Sequence, residues 1–492
     1  MTSTTESAVV TVPLRIGGDS VEAAGGRYIV KTRRLTGEPI ARVAAATRAD
    51  AERAVAAAAD AAAAGWAATS PGARRKVLER AAALLDERSE AISAMMGKEM
   101  GAAASWCHFN VKLAAGMFRE AAAQVYSTVG QVIPSDVPGL TALAVREPVG
   151  VVVGIAPWNA PVILGVRAIA MPLAYGNTVV LKASEETPAT HAAIIECLID
   201  AGIPAGAANL VTNAAEDAAE VVDALIAHKA VRCVNFTGST TVGRIIAEKA
   251  GKHLTRTVLE LGGKAPFIVL ADADLEAAAA AASFGAFMNQ GQICMSTERL
   301  IVDRAVAADF TKILAERAAK LVVGDPEDPR TQLGPLVHEG AVAHVQALVA
   351  DAVAHGATVV TGGVADGLYY PPTVLSGVTS AARIYSEESF GPLAPIIEVD
   401  GADEAVRVAN DSDYGLSAAL FTGDVGRGLT LAQRIQSGIC HINGATVHDE
   451  AQMPFGGVKA SGFGRFGSSA ALEEFTELRW ITVSSDDRHY PI

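Results

Sequence analysis

The chain is predicted to be an α/β protein built on doubly wound parallel sheets, and three observations predict it. Strand-like and helix-like segments alternate from about residue 149 onward, the pattern of parallel strands joined by helical crossovers. Glycines follow several of those strands, at Gly238 and at Gly262-Gly263, where a backbone can approach a ligand closely. The 492 residues exceed what one hydrophobic core accommodates, so about three domain-sized units are expected.

Each element follows from its local pattern. Residues 49–123 are alanine-rich with helical periodicity and read as a run of exposed amphipathic helices. Residues 130–146 alternate and turn at Pro138-Gly139, which predicts a protruding hairpin. Strands are expected over 149–156, 178–182, 208–212 and 231–236, with helices over 187–201 and 241–250. A second alternating block spans about 265–442, with strands at 266–270, 299–302 and 394–399. The last fifteen residues, containing Trp480-Ile-Thr-Val-Ser-Ser485, read as a strand left over after that block closes. Paired with the early hairpin, it would form a subunit contact. Interleaved domains follow: 1–126 with 148–262 as a dinucleotide-binding unit, 263–460 as a catalytic unit, and 127–147 with 478–492 as a small β oligomerisation arm.

Composition excludes several classes. Half the residues are apolar but only 5% are aromatic, because alanine dominates. The longest apolar stretch, 149–166, is broken by Gly154, Pro157, Asn159 and Pro161, so no membrane span is expected. The segment Met1–Glu6 lacks a basic region followed by an apolar one, which predicts a cytoplasmic protein without a secretory signal. A net charge of −14 without a basic stripe argues against nucleic acid as a partner. Five widely spaced cysteines without a Cys-x-x-Cys pair argue against disulfides and zinc, and no metal is expected.

Candidate chemistry centres on Phe287-Met-Asn-Gln-Gly-Gln-Ile-Cys294. A lone cysteine is commonly a small buried hydrophobe, but here glycine and small polar residues surround the thiol. Upstream, Glu260 in Leu259-Glu-Leu-Gly-Gly-Lys264 offers a carboxylate, and a nucleophile with a separate base is what covalent acyl chemistry requires. Val234-Asn-Phe-Thr-Gly-Ser-Thr-Thr-Val-Gly243 reads as strand, turn and helix. There Gly238, Ser239 and Gly243 would admit a pyrophosphate to a helix N-terminus. Lys182 and Glu185 lie just beyond another strand end, and a carboxylate there accepts ribose hydroxyls while repelling a 2′-phosphate.

Taken together, these segments resemble the aldehyde dehydrogenase superfamily over nearly the whole chain. The resemblance rests on Pro157-Trp-Asn-Ala-Pro161, Lys182-Ala-Ser-Glu185, Phe236-Thr-Gly-Ser239, Leu259-Glu-Leu-Gly-Gly-Lys264, Gly291-Gln-Ile-Cys294 and Glu387-Glu-Ser-Phe-Gly-Pro392, in that order. It implies Cys294 as nucleophile, Glu260 as the base that activates water, and Asn159 as oxyanion donor. It further implies NAD held by Ile155, Pro157, Trp158, Lys182, Ser184, Glu185, Gly238, Ser239, Gly243, Leu261, Glu388 and Phe390. A carboxylate at Glu260 favours hydrolysis to a free acid over transfer to coenzyme A, and Glu185 favours NAD over NADP. A homodimer or homotetramer is implied.

A sharper resemblance, to bacterial salicylaldehyde, vanillin and benzaldehyde dehydrogenases, rests on Asn159-Ala-Pro-Val-Ile-Leu-Gly-Val-Arg-Ala168 and on the segment 441–457. It implies oxidation of an aromatic aldehyde to its acid, with an aliphatic aldehyde or semialdehyde as the alternative substrate. From another class, a non-catalytic nucleotide-binding protein is the rival. Arg167 interrupts an apolar run, where a charge is costly unless paired; it either contacts the substrate ring or forms an internal ion pair. Trp106 is either an aromatic wall of the pocket or core. Val447 and His448, in the loop 446–450, are expected at the rim of the substrate mouth.

Overall fold

The strand Val151–Ile155 lies at the point where the strand order of the first sheet reverses. The computed structural model describes residues 9–485 and 490–492. Its first sheet has eight strands: Gly462–Phe463, Arg256–Glu260, Val231–Thr237, Val151–Ile155, Thr178–Lys182, Ala208–Val211, Leu14–Ile16 and Asp19–Val21. The five central ones are parallel. From Val151–Ile155 the chain builds outward through Thr178–Lys182 to Ala208–Val211, then crosses back to place Val231–Thr237 on the other side. A crevice therefore opens at the carboxyl ends of Val151–Ile155 and Val231–Thr237, where open α/β sheets bind ligands. Each strand feeds a helix there, Pro161–Ala174 and Thr240–Lys252.

A second sheet of seven strands runs Thr358–Thr361, Thr373–Ser376, Leu393–Val399, Thr297–Asp303, Ala265–Val269, Ser417–Phe421 and Ile439–Ile442. It is parallel except for its first pair. Arg256–Glu260 passes through two glycines straight into Ala265–Val269, so the end of the first sheet abuts the start of the second. A third sheet pairs Gln131–Ile133 and Leu140–Pro148 as the expected hairpin, and Thr476–Ser484 adds to it antiparallel in register from Thr476 opposite Pro148 to Ser484 opposite Leu140. Residues 486–489 of the expected arm, and the Met1–Glu6 segment, lie outside the described residues.

One expectation needs correction. The helices Arg48–Ala63, Pro71–Glu87, Ser89–Met100 and Ala104–Gln124 form as predicted, but they are not an exposed run. Ala104–Gln124 buries ten residues, among them Val111 and Phe118, in one core with Leu78, Leu85 and Ile169. Alanine's small side chain allows helices to approach closely on several faces, so a weak amphipathic pattern conceals burial. Residues 10–44 supply five short strands, two of them in the first sheet. Among the described residues no helix is long and apolar enough to cross a membrane.

Candidate active site

The backbone ahead of Cys294 takes a left-handed path through Asn289, Gln290 and Gly291, with φ of 48°, 57° and 70°. Two non-glycine residues in that region are strained and persist only when their surroundings hold them. Here Gln290 donates to the Pro335 carbonyl (3.1 Å), Gln292 accepts from the Val337 amide (3.0 Å), and Ser296 donates to the Gly291 carbonyl (3.0 Å). A Cβ on Gly291 would lie 2.1 Å from the Gly391 carbonyl oxygen, and one on Gly263 would lie 2.3 Å from that of Cys294. The glycines thus let the segment after Glu260 press directly on the Cys294 backbone.

Asn159 is buried at the end of the loop after Val151–Ile155, and its side-chain amide donates to the Gln292 carbonyl at 2.9 Å. Its own carbonyl accepts from the Trp106 indole (2.9 Å) and from the Asn289 amide (3.1 Å). Trp106 therefore stands behind the asparagine loop, stacked on Phe109.

Glu260 is 1% exposed, and neither carboxylate oxygen has a hydrogen-bond partner. Burial pushes its carboxyl up to about 7, with the Arg167 charge and the Cys294 thiol pulling the other way. Cys294 is partly exposed on the cleft side. Burial and then the neighbouring Glu260 charge hold its thiol well above the ordinary range, so the resting side chain is a thiol.

One cleft of about 460 Å³ brings together Pro157, Trp158, Asn159, Gly238, Ser239, Glu260, Cys294, Glu388 and Phe390. Glu388 accepts from the Gly263 amide (2.8 Å), and burial followed by the Glu298 charge raises its carboxyl to about 8. Phe390 has φ of 44° and meets Trp158 edge-on at 5.8 Å. That strained turn is held by Glu298, which accepts from the amides of Ser389 and Phe390 (both 3.1 Å) and from the Lys264 ammonium (2.7 Å). Sequence reading missed Glu298, and it missed His344, which contacts the Glu388 carbonyl (3.1 Å). Lys264 lay in a quoted motif and carried the signal.

Further from the thiol, Ser239 caps Thr240–Lys252 by accepting from the Val242 amide (3.3 Å). A Cβ on Gly238 would meet Phe236 at 2.4 Å, and one on Gly243 would meet Leu261 at 2.4 Å. Lys182 pairs beside Ile155 in the sheet and forms an ion pair with Glu185, which also accepts from Asn213 (2.8 Å). The Ser184 amide donates to His191 (3.1 Å). A capped helix N-terminus, glycines with no room for a Cβ, and a carboxylate two strands away suit a dinucleotide's pyrophosphate and ribose.

The residues expected around the substrate separate. Arg167 is 7% exposed, forms an ion pair with Asp449, and lies 4.0 Å over the Phe455 ring. The internal pair, one of its two open readings, is present. Val447 is buried in the core, and His448 is exposed, contacting Glu450 at 3.1 Å. Thr446 anchors their loop through Thr297 (2.9 Å), at the start of the strand that follows Cys294.

The sequence profile of the aldehyde dehydrogenase family matches residues 21–481. The chain belongs to the aldehyde dehydrogenase family. It is 59% identical over 481 residues to the vanillin dehydrogenase of Pseudomonas sp. strain HR199, covering 98% of this chain and 99% of that protein. It is 47% identical over 427 residues to the salicylaldehyde dehydrogenase of Pseudomonas putida, covering 87% and 88%. The crystal structure of a salicylaldehyde dehydrogenase from Pseudomonas putida G7 complexed with salicylaldehyde superposes with a TM-score of 0.96 at 43% identity, covering 98% of this chain and 100% of that one. As an aldehyde dehydrogenase, the chain has the mixed α/β fold and uses a nicotinamide cofactor.

Proposed function

We propose that the protein oxidises aromatic aldehydes of the salicylaldehyde, vanillin and benzaldehyde type to carboxylic acids with NAD, releasing the acid by hydrolysis. The observation that carries this reading is the buried, unpartnered Glu260 carboxylate beside the Cys294 thiol. The Cys294 thiol gives up its proton to solvent, and the sulfur attacks the aldehyde carbon to form a thiohemiacetal. The developing oxyanion is met by the Asn159 side-chain amide and the Cys294 backbone N–H. Glu388, Phe390 and Trp158 would hold the nicotinamide, which would supply the hydride acceptor that lets the thiohemiacetal become a thioester on Cys294. Glu260 then removes a proton from water, whose oxygen attacks the thioester carbon, and the sulfur leaves as the acid forms.

Choice of NAD follows from Glu185, which would repel a 2′-phosphate. The domain division and the arm 127–147 with 478–492, as a contact in a homodimer or homotetramer, belong to the same proposal. An aromatic rather than carboxylate-bearing substrate is favoured by Arg167. Its charge is already matched by Asp449 and its flat face lies against Phe455, so a semialdehyde's carboxylate would meet a carboxylate as well as a cation.

NADH absorbance with benzaldehyde, salicylaldehyde, vanillin, succinic semialdehyde and propanal in parallel tests the reading. Turnover of the aromatic three, abolished by Cys294→Ala, is expected. Preference for propanal or the semialdehyde would overturn the aromatic assignment.

A further inference from the structure

Asp449 presents an unanswered polar atom, and its charge acts on Glu260. Its side chain is 6% exposed, and Oδ2 pairs with the Arg167 guanidinium. Oδ1 is buried and has no hydrogen-bond partner. Serving as counter-ion to Arg167 requires only one of the two oxygens, and a buried acceptor left unmade is costly. Arg167 in turn makes one hydrogen bond among the described residues, the one to Asp449, so it retains N–H donors that no protein acceptor takes.

The surroundings are apolar and aromatic. Arg167 lies 4.0 Å over Phe455 and 5.7 Å from Phe466, and Met117 and Met171 line a small cavity against it. The pair also lies close to the chemistry. Leu164, one turn earlier on the same helix, lines the cleft that holds Cys294, and residues at that spacing share a helix face. The Arg167 charge acts on both Cys294 and Glu260. Thr446 fixes the loop that carries Asp449 to Thr297, three residues beyond the nucleophile.

A free donor and a free acceptor side by side, in an aromatic setting, match a group that both accepts and donates a hydrogen bond. On an aromatic aldehyde that group is a ring hydroxyl. We propose that Asp449 is a specificity-determining residue whose Oδ1 accepts the hydrogen bond of a substrate ring hydroxyl, whose oxygen accepts from Arg167. This rests on the aromatic-aldehyde reading and deepens it. A methoxy oxygen in the same place would accept from Arg167 but leave Asp449 unanswered, so the site distinguishes hydroxyl from ether as well as from hydrogen. Binding sites built around a substrate O–H reject analogues lacking it because their own polar groups are left unpaired.

The test compares kcat/KM for benzaldehyde, 2- and 4-hydroxybenzaldehyde and the two corresponding methoxybenzaldehydes, in unmodified protein and in Asp449→Asn. Unmodified protein is expected to prefer hydroxyl over methoxy by about ten- to hundred-fold at one ring position, the range of a hydrogen bond to a charged group. In Asp449→Asn that ratio is expected to fall several-fold or more. Turnover of benzaldehyde without a hydroxyl preference at either position overturns this inference alone. So does a fall in Asp449→Asn that is equal for all five aldehydes, the mark of a counter-ion only. If unmodified protein turns over none of the five, the aromatic reading falls and takes this inference with it. Should Asp449→Asn not fold, the same ratio in Asp449→Glu, which keeps the charge but moves the acceptor, decides: a several-fold fall supports the inference and an unchanged ratio overturns it.

Discussion

The side-chain amide of Asn159 donates a hydrogen bond to the backbone carbonyl of Gln292 at 2.9 Å, two residues before the nucleophile. One N–H of the amide is thereby committed to the loop that carries Cys294, which fixes the group's orientation. Its second N–H is left for the oxyanion that the proposed mechanism would form at the sulfur-bound carbon. Donors aimed in advance at developing charge contribute chiefly to kcat. Asn159→Ala is therefore expected to lower kcat by about 10²- to 10³-fold, the usual cost of one such donor, with KM for the aldehyde changed little. A matching rise in KM with kcat retained would move Asn159 from the oxyanion to substrate binding.

Glu260 combines full burial with a carboxyl raised to about 7, and this has two pH consequences. Water activation requires the carboxylate, so steady-state turnover is expected to rise with pH through about 7. Glu260→Gln should release a burst of NADH, then stall at the thioester and lose that pH limb. Steady-state turnover equal to that of the unmodified protein would remove Glu260 from the role. Stability runs the opposite way. A carboxyl whose folded pKa exceeds its unfolded value of 4.5 keeps its proton longer when folded, so it costs stability as pH rises from 4.5 through about 7. Glu260→Gln removes that cost, which is up to about 3 kcal/mol at pH 8 by the relation of 1.36 kcal/mol per unit. Denaturant melts of both proteins at pH 4 and pH 8 should show the variant gaining relative stability only at the higher pH.

Legibility of the sequence followed the reach of each interaction. Gly238, Ser239, Glu260 and Cys294 were readable because a turn, a helix cap or a strand end prescribes residue types within a few positions. Strands such as Leu14–Ile16 and Asp19–Val21 were not, since three residues carry too little periodicity to stand out. The burial of Ala104–Gln124 was hidden because alanine marks neither a polar nor a strongly apolar face. Arg167 shows the limit most clearly. Sequence logic demanded that a buried guanidinium be paired, yet its partner Asp449 lies 282 positions away. Lys264 and Glu298, 34 positions apart, likewise meet only because two parallel strands bring their ends together.

Cofactor choice is expected to turn on Glu185. Lys182 and Asn213 hold its carboxylate at the carboxyl end of Thr178–Lys182, so the charge is fixed in place rather than free to swing away. Glu185→Gln removes the repulsion toward a 2′-phosphate and weakens the acceptor for ribose hydroxyls. The ratio of kcat/KM with NAD to that with NADP should fall by about tenfold or more, in line with the loss of a hydrogen bond to a charged group. Parallel NAD and NADP titrations at saturating aldehyde measure it. An unchanged ratio would place the discrimination elsewhere in the crevice.

Subunit assembly is expected to depend on the strand Thr476–Ser484. It forms one edge of its three-stranded sheet, and within it Leu478 and Trp480 project from the same face, 59% and 74% exposed. On the opposite edge strand Val132 is 75% exposed. A long edge strand with uncovered aromatic and aliphatic residues is the surface that pairs with another chain or aggregates. Trp480→Asp places a charge at the centre of that strand without touching either large sheet. Light scattering should find the unmodified protein as a dimer or tetramer and the variant shifted toward monomer, with secondary structure retained by circular dichroism. A monomeric unmodified protein, or a variant of undiminished mass, would separate this arm from assembly and leave its exposed face to another role.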